Sequence, residues 1–165
     1  MIFRCLNRPL LLAALLCLGA SARAGEAPEL SAGQTLYLPV YSSLWYGNLK
    51  KGVPDKIQVS ALVSVRNTDP KQAIRLISAR YFDTGGKLLH EYLGAPRIVP
   101  PLGTHELYVE RKEAVSGSGA NFVISWQADI PVNPPAVEAV HADIQGHRTL
   151  SFVTTAYPIH PSRTE

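Results

Sequence analysis

From Gln34 onward the apolar residues recur at every second position, and no stretch sustains the spacing of an amphipathic helix. Phe122, Ile124, Trp126 and Ala128 alternate with Val123, Ser125 and Gln127, which predicts a strand with the first set facing inward. A chain with this period folds into sheets, and what remains is to find where each strand stops.

Turn formers supply the stops. Gln34 to Tyr41 reads as a first strand, and Pro39, which has no N–H to donate to a ladder, points to an edge position. Ile57, Val59, Ala61, Val63 and Val65 fall on one face of a second strand that ends at Arg66-Asn67-Thr68-Asp69-Pro70. Ile74 to Phe82 forms a third, and Asp83-Thr84-Gly85-Gly86 returns it as a hairpin into Lys87 to Leu93, because glycine accepts positive φ. Arg97 to Val99 leads through the Pro100–Gly103 turn into Thr104 to Glu110, with Leu107 and Val109 on one face. After the strand at Phe122, the proline-rich Ile130–Pro135 is an extended connection to two last strands, Val137 to Ile144 and Thr149 to Thr155. Many short strands at turn-marked intervals predict an all-β, antiparallel sandwich of immunoglobulin or fibronectin type III style, without the Cys-Trp-Cys signature of true immunoglobulin domains. Val63, Val65, Phe122, Ile124 and Trp126 are the expected core. Ser42 to Lys56 and the tail after Tyr157 read as loop.

The N-terminus has a different character. Arg4 and Arg8 precede the apolar run Leu10 to Leu18, and Ala22-Arg23-Ala24 has the small-x-small pattern of a signal-peptidase site. The expectation is an exported, periplasmic or secreted protein with a leader over residues 1–24. A flexible segment over 25–33, a single domain over 34–157 and a tail over 158–165 would follow. The apolar run is shorter than the roughly 20 residues a membrane helix needs, so no stable membrane anchor is expected once the leader is removed. Cys17 raises a lipoprotein alternative, but Leu16 before it is not the small residue that acylation sites prefer. Both cysteines, Cys5 and Cys17, fall within the leader, leaving the remainder without thiol chemistry. Arg4, Arg8 and Arg23 account for three of the 16 basic residues, and none of the 13 acidic ones precedes residue 25, so the rest of the chain carries 13 of each. A neutral balance gives no reason to expect nucleic acid as a partner.

Several segments of the chain, Gly33 to Ser42, Arg66 to Pro70, Tyr81-Phe82-Asp83, Gly86-Lys87-Leu88, Ser118 to Phe122, Trp126 to Asp129 and Pro134 through Val140, resemble a family of exported bacterial proteins catalogued as domain of unknown function 3124. The resemblance implies an exported β domain and no particular activity. Trp45-Tyr46 and His147-Arg148-Thr149 depart from the family pattern.

Candidate sites are few. Ser116-Gly117-Ser118-Gly119-Ala120-Asn121 reads either as a nest of backbone N–H groups for an anion, with Arg111 and Lys112 nearby, or as the turn that launches the Phe122 strand. Gly117, Ser118, Gly119 and Asn121 are its candidate ligand contacts. A nucleophile elbow is excluded because the residues two before Ser116 and Ser118 are not glycine, and no phosphate-loop or dinucleotide fingerprint is present. His141, Asp143 and His147 have the ligand types for a divalent metal, although they also read as a solvated strand end. Tyr41, Trp45 and Tyr46 could stack on a sugar or grip a protein, or else Leu44 and Trp45 plug an open end of the sandwich. Glu106 and Glu110 share an outward face, which does not indicate a glycosidase pair. With no catalytic residue and no cofactor motif surviving, the sequence points to a non-catalytic module that binds an envelope protein or a surface ligand. A metal-binding or enzymatic protein using His141, Asp143 and His147 stays open as an alternative, as does anion or sugar capture by the two loops.

Overall fold

The computed structural model describes residues 28–112, 116–146 and 148–160. Twelve strands and no helix are found among them. β1 (Ser31–Val40) is followed by β2 (Ser43–Lys50), β3 (Val53–Gln58) and β4 (Ser60–Arg66). β5 (Ile74–Phe82), β6 (Leu88–Glu91), β7 (Arg97–Val99) and β8 (Thr104–Val109) make up the middle of the chain. The long β9 (Ala120–Val132) leads to β10 (Ala136–Gln145), β11 (Arg148–Thr155) and β12 (Tyr157–Ile159). One sheet has the order β12-β1-β9-β5-β6, with β7 also on β5, and a second has β11-β10-β4-β8. β2 and β3 pair only with each other. Every pairing is antiparallel, and the sandwich-like arrangement is compatible with the immunoglobulin or fibronectin type III style.

The core is where the inward phases of the two large sheets meet. Leu36, Leu38 and Val40 of β1 lie beside Phe122, Ile124 and Trp126 of β9, and all six are buried. Ala61, Val63 and Val65 of β4, Leu107 and Val109 of β8, and Val137 and Ala139 of β10 line the other sheet. In β5 the inward phase changes from even positions, Ile74 and Leu76, to odd ones, Ala79 and Tyr81. A register shift between Leu76 and Ser78 absorbs the extra residue and keeps both halves of the strand facing the core.

Three expectations from the sequence are corrected. Residues 42–56, read as loop, form most of the β2–β3 hairpin, whose two-residue turn Lys51-Gly52 has φ of 53° and 83°. That is the pattern of a type I′ turn, whose twist matches that of the flanking strands. The run from Ile57 to Val65, read as one strand, is broken at buried Val59 between β3 and β4. The segment after Tyr157, read as tail, continues into β12, which pairs with Thr35–Tyr37 of β1 and tolerates Pro158 because it is an edge strand. The first strand also starts earlier than expected, with β1 beginning at Ser31. β1 lies inside its sheet at Tyr37, but β12 stops short of Pro39, where the Thr154 hydroxyl donates to the Pro39 carbonyl at 2.6 Å.

Candidate functional site

The hairpin is anchored at its base and free beyond it. Ser43 is buried and Leu44 is half-buried, whereas every residue from Trp45 to Val53 is exposed. Ser42 fixes the base: its N–H and hydroxyl both donate to the Gly117 carbonyl, at 3.2 and 2.7 Å, and its own carbonyl accepts from the Val59 N–H at 3.0 Å. Arg111 Nε donates to the Gln58 carbonyl at 3.3 Å on the returning strand. Outside this base, Trp45 is 53% exposed, Tyr46 46%, Leu49 69% and Val53 57%. The plug role for Trp45 is therefore overturned, because the ring sits on an arm that the sandwich does not cover. Lys56 holds its ammonium 5.4 Å from the Trp45 ring centroid, and Lys50 pairs with Asp55 at 2.7 Å. Both are solvent-facing contacts of small energetic weight.

The Ser116–Asn121 segment serves as a buttress. The Ser116 carbonyl accepts from the Thr84 N–H and hydroxyl, both at 2.9 Å, and Tyr81 donates its hydroxyl to Ser116 Oγ at 2.8 Å. Gly117 has φ of 79°, and a Cβ there would collide with Thr84 Oγ1, so both backbone conformation and space demand glycine. The Gly119 N–H, one of those a nest would offer an anion, instead donates to Thr84 Oγ1 at 2.9 Å. Ser118 is half-buried, and Asn121 belongs to β9 between Pro39 and Phe82. Arg111 is turned towards Gln58 and Asp143. The segment thus ties the Asp83–Gly86 turn to the base of the hairpin.

His141 and Asp143 do share a face of β10, but it is the interior face. The expectation of a solvated strand end is overturned, since they are 0% and 2% exposed. His141 Nε2 accepts the Tyr41 N–H at 3.0 Å, which places the ring proton on Nδ1. The imidazole stacks on Phe152 with centroids 4.4 Å apart and planes 1° from parallel, and Tyr41 meets it edge-on at 5.9 Å. Burial pushes its pKa below the ordinary value of 6.5, with the backbone at Phe152 and Ala139 partly opposing, so the ring is neutral. Asp143 Oδ1 takes Arg111 at 3.3 Å and Gln145 Nε2 at 2.7 Å. Both side chains are engaged in joining β10 to β1 and to the chain after β8. No group of three or more His, Cys, Asp or Glu able to hold a metal occurs among the described residues, and His147 lies outside them.

Sequence reasoning missed a polar hub in Arg66-Asn67-Thr68-Asp69-Pro70. Buried Asn67 donates from Nδ2 to the carbonyls of Gln72, Val99 and Pro100 at 2.8, 3.2 and 3.1 Å. Asp69 Oδ1 accepts the N–H groups of Lys71 and Gln72, and Oδ2 accepts that of Asn133. The Lys71 and Gln72 bonds lead in lowering its pKa. Three connections are thereby tied together by side chains whose composition alone says only "turn". Beside the third of them, a cleft of about 440 Å³ has Leu36, Val137 and Ala156 in its lining, along with Pro134 and Pro135.

These features define an all-β antiparallel sandwich that projects one aromatic hairpin. The chain belongs to the family described as Protein of unknown function (DUF3124), which matches residues 33–159 and so includes both the hairpin and the hub. No curated protein matches the sequence. Among solved structures, that of Thermotoga maritima 1070 is similar at a TM-score of 0.42 and 12% identity, covering 75% of this chain and 92% of that one.

Proposed function

We propose that this protein is a non-catalytic binding module of the cell envelope that contacts a protein or surface ligand through the β2–β3 hairpin. One observation carries the reading: an arm outside both large sheets exposes Trp45, Tyr46, Leu49 and Val53 within nine residues, whereas Trp126, Tyr81 and Phe122 of the sandwich are buried. Contiguous exposed apolar side chains mark interaction sites, and tryptophan and tyrosine are enriched among the residues that dominate binding energy. The envelope location follows from the leader pattern at residues 1–24. The internal engagement of His141 and Asp143 speaks for a structural role and against the enzymatic or metal-binding alternative.

The test is photo-crosslinking from position 46 in envelope extracts, followed by capture. A specific adduct that disappears on Trp45→Ala, with the thermal midpoint unchanged, supports the reading. Adducts indifferent to Trp45, or a stoichiometric metal lost in His141→Ala, would overturn it.

A further inference from the structure

We infer that the hairpin's target is the anionic surface of a phospholipid bilayer, with the Leu49–Val53 tip entering the headgroup layer; this rests on the hairpin being the contact surface. The composition of the arm points to such a surface. Ser43 to Gln58 holds Lys50, Lys51 and Lys56 against a single acid, Asp55, while the chain from residue 25 onward is neutral overall. The arm is therefore a local positive pole, net +2, and the rest of the chain from residue 25 onward has 10 basic and 12 acidic residues. Lysine is depleted at protein–protein interfaces, where aromatic residues and arginine are favoured. Lysine combined with tryptophan and tyrosine is instead the combination of membrane–water interfaces, where amphipathic rings sit among headgroups and ammonium groups meet lipid phosphates.

The geometry of the arm points the same way. The turn at Lys51-Gly52 puts Leu49, Lys50, Lys51 and Val53 at the extreme of the arm, with Leu49 and Val53 more than half exposed. Register shifts between Tyr46 and Lys50, so β2 has extra residues there and Trp45 comes opposite Lys56. Lys56 lies only three residues beyond Val53, about 10 Å of strand at roughly 3.3 Å per residue. That span matches the roughly 5–10 Å to which interfacial segments penetrate. Leu49 and Val53 then reach the acyl boundary while Trp45 and Tyr46 lie at headgroup level. Headgroups are hydrated, so the outer edges of a two-stranded arm need no further backbone partners there.

The chain has two tryptophans, and Trp126 is 1% exposed, so a fluorescence blue shift on binding reports Trp45. Purified processed protein, its N-terminus established by intact mass, is titrated with vesicles of equal parts phosphatidylglycerol and phosphatidylcholine, and with pure phosphatidylcholine. The expected result is a blue shift and co-sedimentation on the anionic vesicles, weakened about tenfold or more on neutral ones and by added salt. Lys50→Glu with Lys51→Glu should weaken binding by at least about tenfold, and Leu49→Asp should abolish the blue shift. All three positions are exposed, so the fold is expected to tolerate these changes. Absence of binding to anionic vesicles while a Trp45-dependent protein adduct persists overturns the lipid inference and leaves the hairpin as a protein-binding surface. Vesicle binding indifferent to Leu49 and the lysines overturns it as well. Absence of both vesicle binding and the adduct overturns the hairpin reading itself.

Discussion

The two tryptophans of this chain sit in strands of opposite kinds. Trp126, in β9, has a strand on either side and a second sheet across from it, and is 1% exposed. Trp45, in β2, has only β3 beside it and is 53% exposed. In β9, burial of one face enforces alternation, so the strand is visible in the sequence. In β2 no face is buried beyond the base, and nothing enforces a period. What holds the hairpin in shape is its turn and its anchorage at Ser42, so its apolar residues are left available to something outside the molecule.

Truncating the two rings in turn should give the largest difference between these regions. Trp126→Ala should destabilise the protein by about 3–5 kcal/mol, because a large side chain is removed from a close-packed interior. Trp45→Ala should stay within about 0.5 kcal/mol of the parent, as ordinary surface changes do. Urea denaturation of the two variants measures the contrast. A loss above about 1 kcal/mol for Trp45→Ala would mean that the ring packs against the body and that the arm is not free.

A smaller effect sharpens the contrast from the hub side. Asn67→Leu removes the donor to three carbonyls in a site that water cannot easily refill, and should cost about 2–3 kcal/mol. Thr68→Val, which removes only an exposed bond to the Pro134 carbonyl, should cost well under about 1 kcal/mol. Equal losses at the two positions in the same denaturation experiment would show that Asn67 acts merely as a turn former.

The fold was legible wherever one rule governed a whole segment. β8 and the first part of β9, to Ala128, alternate in burial, and the Asp83–Gly86 turn carries its own chemistry. Legibility failed where two rules met in one segment. β5 is legible over its full length, Ile74–Phe82, but its change of phase at the register shift is not; β12 contains a proline tolerated only at an edge, and the hairpin turn is Lys-Gly, a weaker signal than Asn-Gly. The candidate sites were harder still, because their meaning depends on distant partners. His141 is read as a ligand or a surface residue until the Tyr41 N–H, 100 positions away, is found on its Nε2. Asp143 acquires its role from Arg111 in the same way. Trp45 and Tyr46 could be singled out as aromatic residues in a supposed loop, but their exposure follows from a hairpin that periodicity does not reveal.

Protonation tests the interior more gently. Burial holds the His141 pKa below 6.5, so between that lowered value and about pH 6.5 the unfolded chain binds more protons than the folded one. The stability linked to His141 is therefore full above about pH 6.5 and is lost as pH falls through this window. His141→Phe should remove this slope from a series of denaturation curves. A slope that survives His141→Phe unchanged would assign the effect to another group.

The smallest effect bears most directly on whether the arm behaves as its own unit. Lys51 holds φ of 53°, a region where a side chain is strained and glycine is not. Lys51→Gly should therefore favour the closed hairpin by up to about 1 kcal/mol, offset in part by the greater freedom of glycine in the open arm. Because β2 and β3 pair only with each other, the arm can open without disturbing either large sheet. The gain should then appear as slower hydrogen exchange at the ladder amides between Trp45 and Lys56, while the urea midpoint of the whole domain stays where it was. A shift of the global midpoint by the same amount would show that arm and sandwich open together, and that the hairpin is an integral part of the core structure.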